Sequence, residues 1–369
     1  MGKHRVAKKI EKHTDYKPKT EPSLDWLSCK LNNTFYVKSF LTEFFDLNSS
    51  LYDVQTIELK DKSLMVKYTN GLVWFEFPES QELKVKLTIT SGGFAIYFLE
   101  NDLDSFLRWI YKNAPFHEDQ YGINYLAGIT RIDIAYDDTI GLIPMSRIYK
   151  WIRNRQVKTR LRDARPQFKI DLKTGLRGEG FTWYMGQRAN SLFIRFYDKA
   201  SMQRELKIKL DEEIHTCNRM EFELKDKLAN QLFTDYLHKE DFDFREFFQD
   251  KVSFKSRKMS IGEKHKERIP DHPAWSEFMR NCEPKKLVLP KDRYNYDTLR
   301  NYLEQKMSSG LGTYLTIEGN LQRIVDLYKK KKESGELNLK HMNLLKTNPN
   351  NWKFDKIIQI DTRRLRNAG

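Results

Sequence analysis

Three short segments, residues 130–138, 191–199 and 219–224, alternate apolar and polar side chains with a period of two. Only an extended strand puts residues i and i+2 on one side, so this period fixes both the conformation and the facing of each side chain. Ile132 and Ile134 point one way and Arg131, Asp133 and Asp137 the other. Ile194 and Phe196 oppose Arg195, Tyr197 and Lys199, while Met220, Phe222 and Leu224 oppose Arg219, Glu221 and Glu223. Each strand sets a basic group beside an acid or a phenol, so an open polar face above an apolar one is expected.

The rest of the chain carries the same grammar. Residues 53–59, 63–68, 72–77, 84–90 and 93–99 are short β-branched or aromatic runs, and Asn70-Gly71, which takes positive φ cheaply, makes 63–77 a hairpin. From residue 93 a strand-then-helix rhythm sets in: 93–99 before a helix with Leu103, Phe106, Leu107 and Ile110 on one face, 131–137 before 146–155, 191–199 before 200–210, and 219–224 before 226–237. The expected fold is α+β, with antiparallel sheets built from repeated strand-helix units, an internal duplication being one origin for them. Residues 1–22 carry seven Lys or Arg against three acids and read as a flexible basic arm. Residues 23–250 form the expected catalytic domain. Residues 251–369 open with a Lys-rich stretch, continue with Leu321, Ile324, Val325 and Tyr328 at helical spacing, and are expected to be a mostly helical, basic C-terminal region.

Charge narrows the partner. Lys and Arg number 65 against 51 acids, a formal charge of +14, which favours a polyanion and above all nucleic acid. Eight of these cations crowd between Arg147 and Arg165 with Asp163 as the one acid among them. Arg147, Lys150, Arg153, Arg155, Lys158, Arg160 and Arg162 are therefore candidate phosphate ligands, with a merely solvated face as the alternative. Three scattered cysteines without a CxxC pair, no apolar run of membrane length and no signal-peptide core give the expectation of a cytoplasmic protein without a membrane partner.

On the polar face, carboxylates suit a hard cation, Arg131, Arg195, Arg219 and Lys199 suit phosphate oxygens, and Tyr197 supplies a nucleophile. The set matches phosphodiester transesterification; charges that only keep a sheet face soluble are the bland alternative. A phenol ionises near pH 10. Arg195 and Lys199, two residues to either side of Tyr197, are expected to favour its phenolate, whereas Tyr184 and Tyr136 are rivals without such brackets. No two of the eight histidines form a local metal clip, so Asp133, Glu221 and Glu223 are the candidate ligands, and oxygen donors suit Mg2+ or Mn2+. Ser91-Gly92-Gly93 lacks the lysine of an ATP-binding loop.

The runs Thr130-Arg-Ile-Asp-Ile-Ala-Tyr-Asp-Asp138, Trp183-Tyr-Met-Gly186, Phe193-Ile-Arg-Phe-Tyr-Asp-Lys199 and Arg219-Met-Glu221 resemble the successive signatures of the Rep_trans initiators. These include replication initiators of rolling-circle plasmids and MobT-type relaxases of integrative conjugative elements. Asp25-Trp-Leu-Ser28 and His272-Pro-Ala-Trp-Ser-Glu-Phe278 extend the likeness over roughly residues 23–320. The resemblance implies strand nicking at an origin through a 5′-phosphotyrosine, with Tyr197 as nucleophile and Asp133 and Glu221 in an acidic metal site. It also implies single-stranded or cruciform origin DNA with flanking duplex as partner, and a host helicase; a homodimer stays open. Met202 stands where a glutamate is expected, with Glu205 further on. A non-catalytic origin-binding protein and a metal nuclease without a covalent intermediate are the rival readings.

Overall fold

The computed structural model describes residues 15, 16, 19–119, 122–170, 172, 173, 177–205, 209, 210, 216–239 and 242–289. The fold below is that of one of two compact units, Met1–His117 with Asn124–Pro290. The helix expected around Leu321 to Tyr328 lies outside the described residues.

The unit is built on a ten-stranded sheet in which every neighbouring pair is antiparallel. Its first part runs β1 (Ser23–Leu31), α1 (Phe35–Phe44), β2 (Asp53–Glu58), β3 (Leu64–Thr69), β4 (Val73–Pro78), β5 (Val85–Ile89), α2 (Ser91–Tyr97) and α3 (Leu103–Asn113). Its second part runs β6 (Ile129–Asp138), α4 (Met145–Arg153), β7 (Val157–Thr159), β8 (Ala164–Ile170), β9 (Arg177–Met185), β10 (Leu192–Asp198), α5 (Lys199–Glu205), β11 (Asn218–Lys225) and α6 (Asp226–His238). Then follow α7 (Phe244–Lys251), β12 (Val252–Phe254) and α8 (Pro273–Phe278).

Across the sheet the strands stand in the order β8-β9-β10-β11-β6-β1-β5-β4-β3-β2. Read outward from the centre, β1-β5-β4-β3-β2 and β6-β11-β10-β9-β8 are the same path: a first strand, then its last, then the rest in reverse. The duplication is thus one of topology. Its unit is a strand, a helix, four further strands of the sheet and a helical close, with β7 and α5 added in the second copy and two helices closing the first, and is larger than the single strand-helix pair expected from the sequence.

The hairpin forms as expected, with Gly71 at φ 78° and the Asn70 side-chain oxygen accepting from the Leu72 and Val73 amides at 3.0 Å each. Of residues 93–99, expected as a strand, 93–97 are helical instead and the last two turn out of the helix. Thr90 caps α2 by accepting from the Gly93 amide, and Phe94 and Tyr97, three apart, turn into the core. A short aromatic run carries no period long enough to separate the two conformations. A Cβ on Gly93 would stand 2.7 Å from the Leu72 carbonyl oxygen, so only glycine lets α2 start this close to the sheet.

The helices cover one face. Leu27 and Leu31 of β1, Ile132 and Ile134 of β6, Phe196 of β10 and Phe222 of β11 lie in one core with Leu41, Ile110, Ile148 and Leu232 from the helices. The boundary expected at residue 250 falls inside this core: β12 pairs with β7, Phe254 stacks on Trp151 at 4.7 Å, and Trp275 is fully buried against Phe254. Apolar side chains hidden in a Lys-rich stretch made 251–289 read as a separate region. The end of the expected arm is also held, since the Lys19 ammonium pairs with Asp25 at 2.8 Å and Glu21 pairs with Arg245 and Arg280. No helix among the described residues is long and apolar enough to cross a membrane.

Candidate active site

The three alternating segments become β6, β11 and β10, which lie side by side. Their register sets Asp133 opposite Glu223, Asp137 opposite Arg219, Glu221 opposite Arg195 and Arg219 opposite Tyr197. All of these point away from the helices. β1 adds to the same face through an irregularity: the pairing slips between Leu24 and Trp26, so Asp25 and Trp26 both leave the core side.

Deepest in the face, Arg219 is 1% exposed and donates from Nε and Nη2 to the two oxygens of Asp137, at 2.6 and 2.8 Å. Its Nη1 donates to Asp25 at 3.1 Å. Burial opposes ionisation of Asp25, but Arg219 and Lys19 outweigh it and hold this carboxyl below the usual range. Arg219, expected to hold DNA, is therefore an internal cation: its planar fork is occupied by carboxylates before any phosphate arrives.

One step outward, Arg195 Nη2 donates to Asp133 at 3.2 Å and also to Glu221. The other Glu221 oxygen accepts from the Tyr197 hydroxyl at 3.1 Å. Arg131 grips Asp133 with two bonds, 2.8 and 2.6 Å, and lies over the Trp26 ring at 4.6 Å. Burial, with the charge of Glu221 added, lifts Asp133 to about 7 against the pull of Arg131 and Arg195. Burial likewise brings Lys199 down to about 8, helped by Arg219.

Tyr197 behaves opposite to expectation. Burial and then the negative Glu221 push its phenol well above 10, and Arg219 and Arg195 offset this only in part. Spacing along a strand places cations beside the ring but says nothing about how enclosed it is. The phenol therefore keeps its proton at rest, and that proton already points at a carboxylate. Tyr136, a rival, is on the core side with its hydroxyl donating to the Phe278 carbonyl at 2.9 Å. Tyr184 shares the open face, across the strand pair from Arg195.

Glu223 belongs to a different set. Its oxygens meet Arg131 at 3.0 Å, Lys225 at 2.9 Å and Arg188 at 3.4 Å. Among the described residues no three His, Cys, Asp or Glu side chains stand close enough to hold a metal ion, so the expected trio with Asp133 and Glu221 is not brought together. Asp133 and Glu221 do converge on one nitrogen of Arg195. As two hard oxygen donors they fit Mg2+ or Mn2+, which binds one or two carboxylates and completes its shell with water or phosphate.

The basic run lies elsewhere. Trp151 of α4 packs on Phe254, and Phe254 on Phe196, so α4 sits in the helical layer. Arg147, Lys150 and Arg153 come from that layer, with Arg147 donating to the Leu142 carbonyl and Arg153 to the Tyr149 hydroxyl. Arg155, Lys158, Arg160 and Arg162 follow on the way to edge strand β8, and all but Lys158 are exposed. Asp25 was missed by strand alternation because the slip in β1 breaks the period of two, and Lys19 because it precedes the strand, in the stretch expected to be a flexible arm. Arg165 and Arg188 were missed because sequence does not tell which strands flank β10.

Residues 127–329 match Rep_trans, the replication initiation factor family, over more than half of the chain. The chain belongs to the Rep_trans family. A solved rolling circle replication initiator protein from Geobacillus stearothermophilus shares the fold, with a TM-score of 0.53 at 20% identity over 73% of this chain and 99% of that chain. The immunity protein TplEi from Pseudomonas aeruginosa aligns at a TM-score of 0.13 and 8% identity, over 56% of this chain and 82% of its own, and carries no argument. No curated protein matches the sequence. The Rep_trans match takes in β6, β10 and β11, the three strands that carry Asp133, Arg195, Tyr197 and Glu221.

Proposed function

We propose that this Rep_trans protein initiates rolling-circle replication or transfer by cutting and rejoining one DNA strand at an origin through Tyr197. The observation that carries the reading is the hydrogen bond from the Tyr197 hydroxyl to Glu221, on a face otherwise rich in guanidinium groups. The phenol oxygen attacks phosphorus while its proton passes to Glu221, which removes the difficulty of ionising an enclosed tyrosine. A phosphotyrosine bond forms on the 5′ side and the bond to the 3′-oxygen breaks. Lys199, with a pKa of about 8, gives that oxygen its proton. Arg195 offsets the charge that gathers on the phosphoryl oxygens. Asp133 and Glu221 would hold Mg2+ or Mn2+, which supplies further positive charge to the phosphate under attack. The substrate is single-stranded or cruciform DNA with flanking duplex. A host helicase is a partner that the family resemblance adds to the proposal.

The test is direct. Protein, Mn2+ and a single-stranded origin oligonucleotide labelled at its 3′ end, the end that stays on Tyr197, should give an adduct that survives SDS. Tyr197→Phe should give none while still binding DNA. An adduct with the Phe variant would move the nucleophile to Tyr184. DNA binding without any adduct in the wild type would reduce the protein to an origin-binding factor.

A further inference from the structure

Beside Arg195 the open face sinks into a cleft of about 550 Å3 between β8, β9 and β10, lined by Arg165, Tyr184, Arg188 and Phe193. Its side chains are stacked in series. The Arg165 guanidinium lies 5.8 Å over the Tyr184 ring, Tyr184 and Phe193 are 5.5 Å apart and 16° from parallel, and the Arg188 guanidinium lies 6.0 Å over Phe193. Phe193 is buried, so it backs Tyr184 and keeps the phenol ring upright. Arg195, which bridges Asp133 and Glu221, forms the inner wall.

We infer that this cleft seats one unpaired nucleotide of the cut strand, next to the phosphate under attack, with its base on Tyr184 and its own phosphate between Arg165 and Arg188. This rests on the strand-cutting reading, which already makes the substrate single-stranded, and adds to it the place on the protein where one nucleotide of that strand is held.

Three observations favour that occupant. The first is charge: Arg165 is exposed and has no carboxylate partner among the described residues, and Arg188 meets Glu223 only at 3.4 Å. Two guanidinium groups so loosely held are available to a phosphate. The second is the flat ring between them. A cation over an exposed ring is held more weakly than a stacked base, so a base displaces the Arg165 guanidinium from Tyr184 and frees it for the backbone. The third is place. Tyr184 is the cross-strand partner of Arg195, and Thr182 of Tyr197, so a nucleotide on Tyr184 lies one strand away from the nucleophile. A base inside a duplex is stacked on both sides and offers no face to Tyr184; an unpaired one does.

The experiment uses the full chain carrying Tyr197→Phe, so that nothing is cut, and a fluorescent random-sequence oligonucleotide either single-stranded or annealed to its complement. Adding Tyr184→Ala should weaken single-strand binding by about 5- to 150-fold, the range for removal of one stack, and leave duplex binding unchanged. Adding Tyr184→Phe instead should keep affinity within about twofold, which also controls for folding. Arg165→Gln should lower the salt slope for the single strand by about 0.7. Equal losses for single strand and duplex, or no loss for either, would overturn the inference. The two readings fail separately. If wild-type protein forms the SDS-resistant adduct but Tyr184→Ala binds normally, the subsite is wrong and strand cutting stands. If no adduct forms yet Tyr184→Ala loses only single-strand affinity, the cleft is right and cutting is wrong.

Discussion

Replacing Arg219 by methionine removes the cation on which the floor of the site is built. The side chain is 1% exposed and donates to both oxygens of Asp137 and to Asp25. Methionine fills nearly the same volume, so packing is kept and the electrostatic loss is isolated. Asp137, itself fully covered, then faces Asp25 across a site without the guanidinium that separated them. Breaking a buried pair in this way costs about 3–5 kcal/mol, mostly from the stranded Asp137 carboxylate, since Asp25 keeps the Lys19 ammonium. For a unit of this size that is a fall of roughly 10 °C in Tm. Urea unfolding followed by tryptophan fluorescence reads the loss as a lower midpoint at constant slope. The reasoning makes a second demand. Asp137→Asn should also destabilise, but the double variant should lose at least about 1 kcal/mol less than the two single losses summed, because each change removes the reason for the other's cost. Losses that add to within about 0.5 kcal/mol, or a loss below about 1 kcal/mol for Arg219→Met alone, would refute it.

Asp133 gives a pH signature: its carboxyl ionises near 3.8 when unfolded and near 7 when folded, so the stability it contributes is complete below the lower value and is lost as pH rises through the upper one. Asp133→Asn should therefore lose less stability than wild type in urea melts between about pH 4 and pH 8, and parallel pH profiles would show that the carboxyl is not raised. Glu221→Gln keeps a hydrogen-bond acceptor for Tyr197 but takes no proton; adduct formation should slow by about 100-fold or more without weaker DNA binding, and an undiminished rate would remove Glu221 as the base. Changing Arg153, Arg155, Arg160 and Arg162 together to glutamine should weaken DNA binding and lower the salt slope by about 0.7–0.9 for each phosphate no longer neutralised, with adduct formation intact at saturating DNA. An unchanged slope with poor cutting would place these residues in the chemistry.

Much of the face was legible because period two is a property of single strands. Asp133, Arg195, Tyr197, Glu221 and Glu223 all stand on the side their spacing assigns, and Asn70-Gly71 turns where it should. What required neighbours was not legible. That Glu221 receives the Tyr197 hydroxyl, that Glu223 is drawn off by Arg188 and Lys225, and that Arg219 is sealed by two aspartates all depend on strand order, which composition does not contain. Enclosure is equally silent in sequence, and it turned the expected ionisable phenol into one that holds its proton. Asp25 was hidden by one slipped residue, and residues 93–99 by a run too short to show its period.

Within the sheet the two like halves are joined by one ladder, β1–β6, whose pairing slips at two places. A chain made from its N-terminus completes β1 to β5 first, and the outer edge of β1 then waits with bare amides and carbonyls until residues 129–138 leave the ribosome. Such an edge is a template for the same edge on a neighbouring nascent chain. A protein truncated before Ile129 therefore exposes a sticky border and not a stable half. The same border, supplied with the missing half as a separate polypeptide, is where two fragments would rejoin.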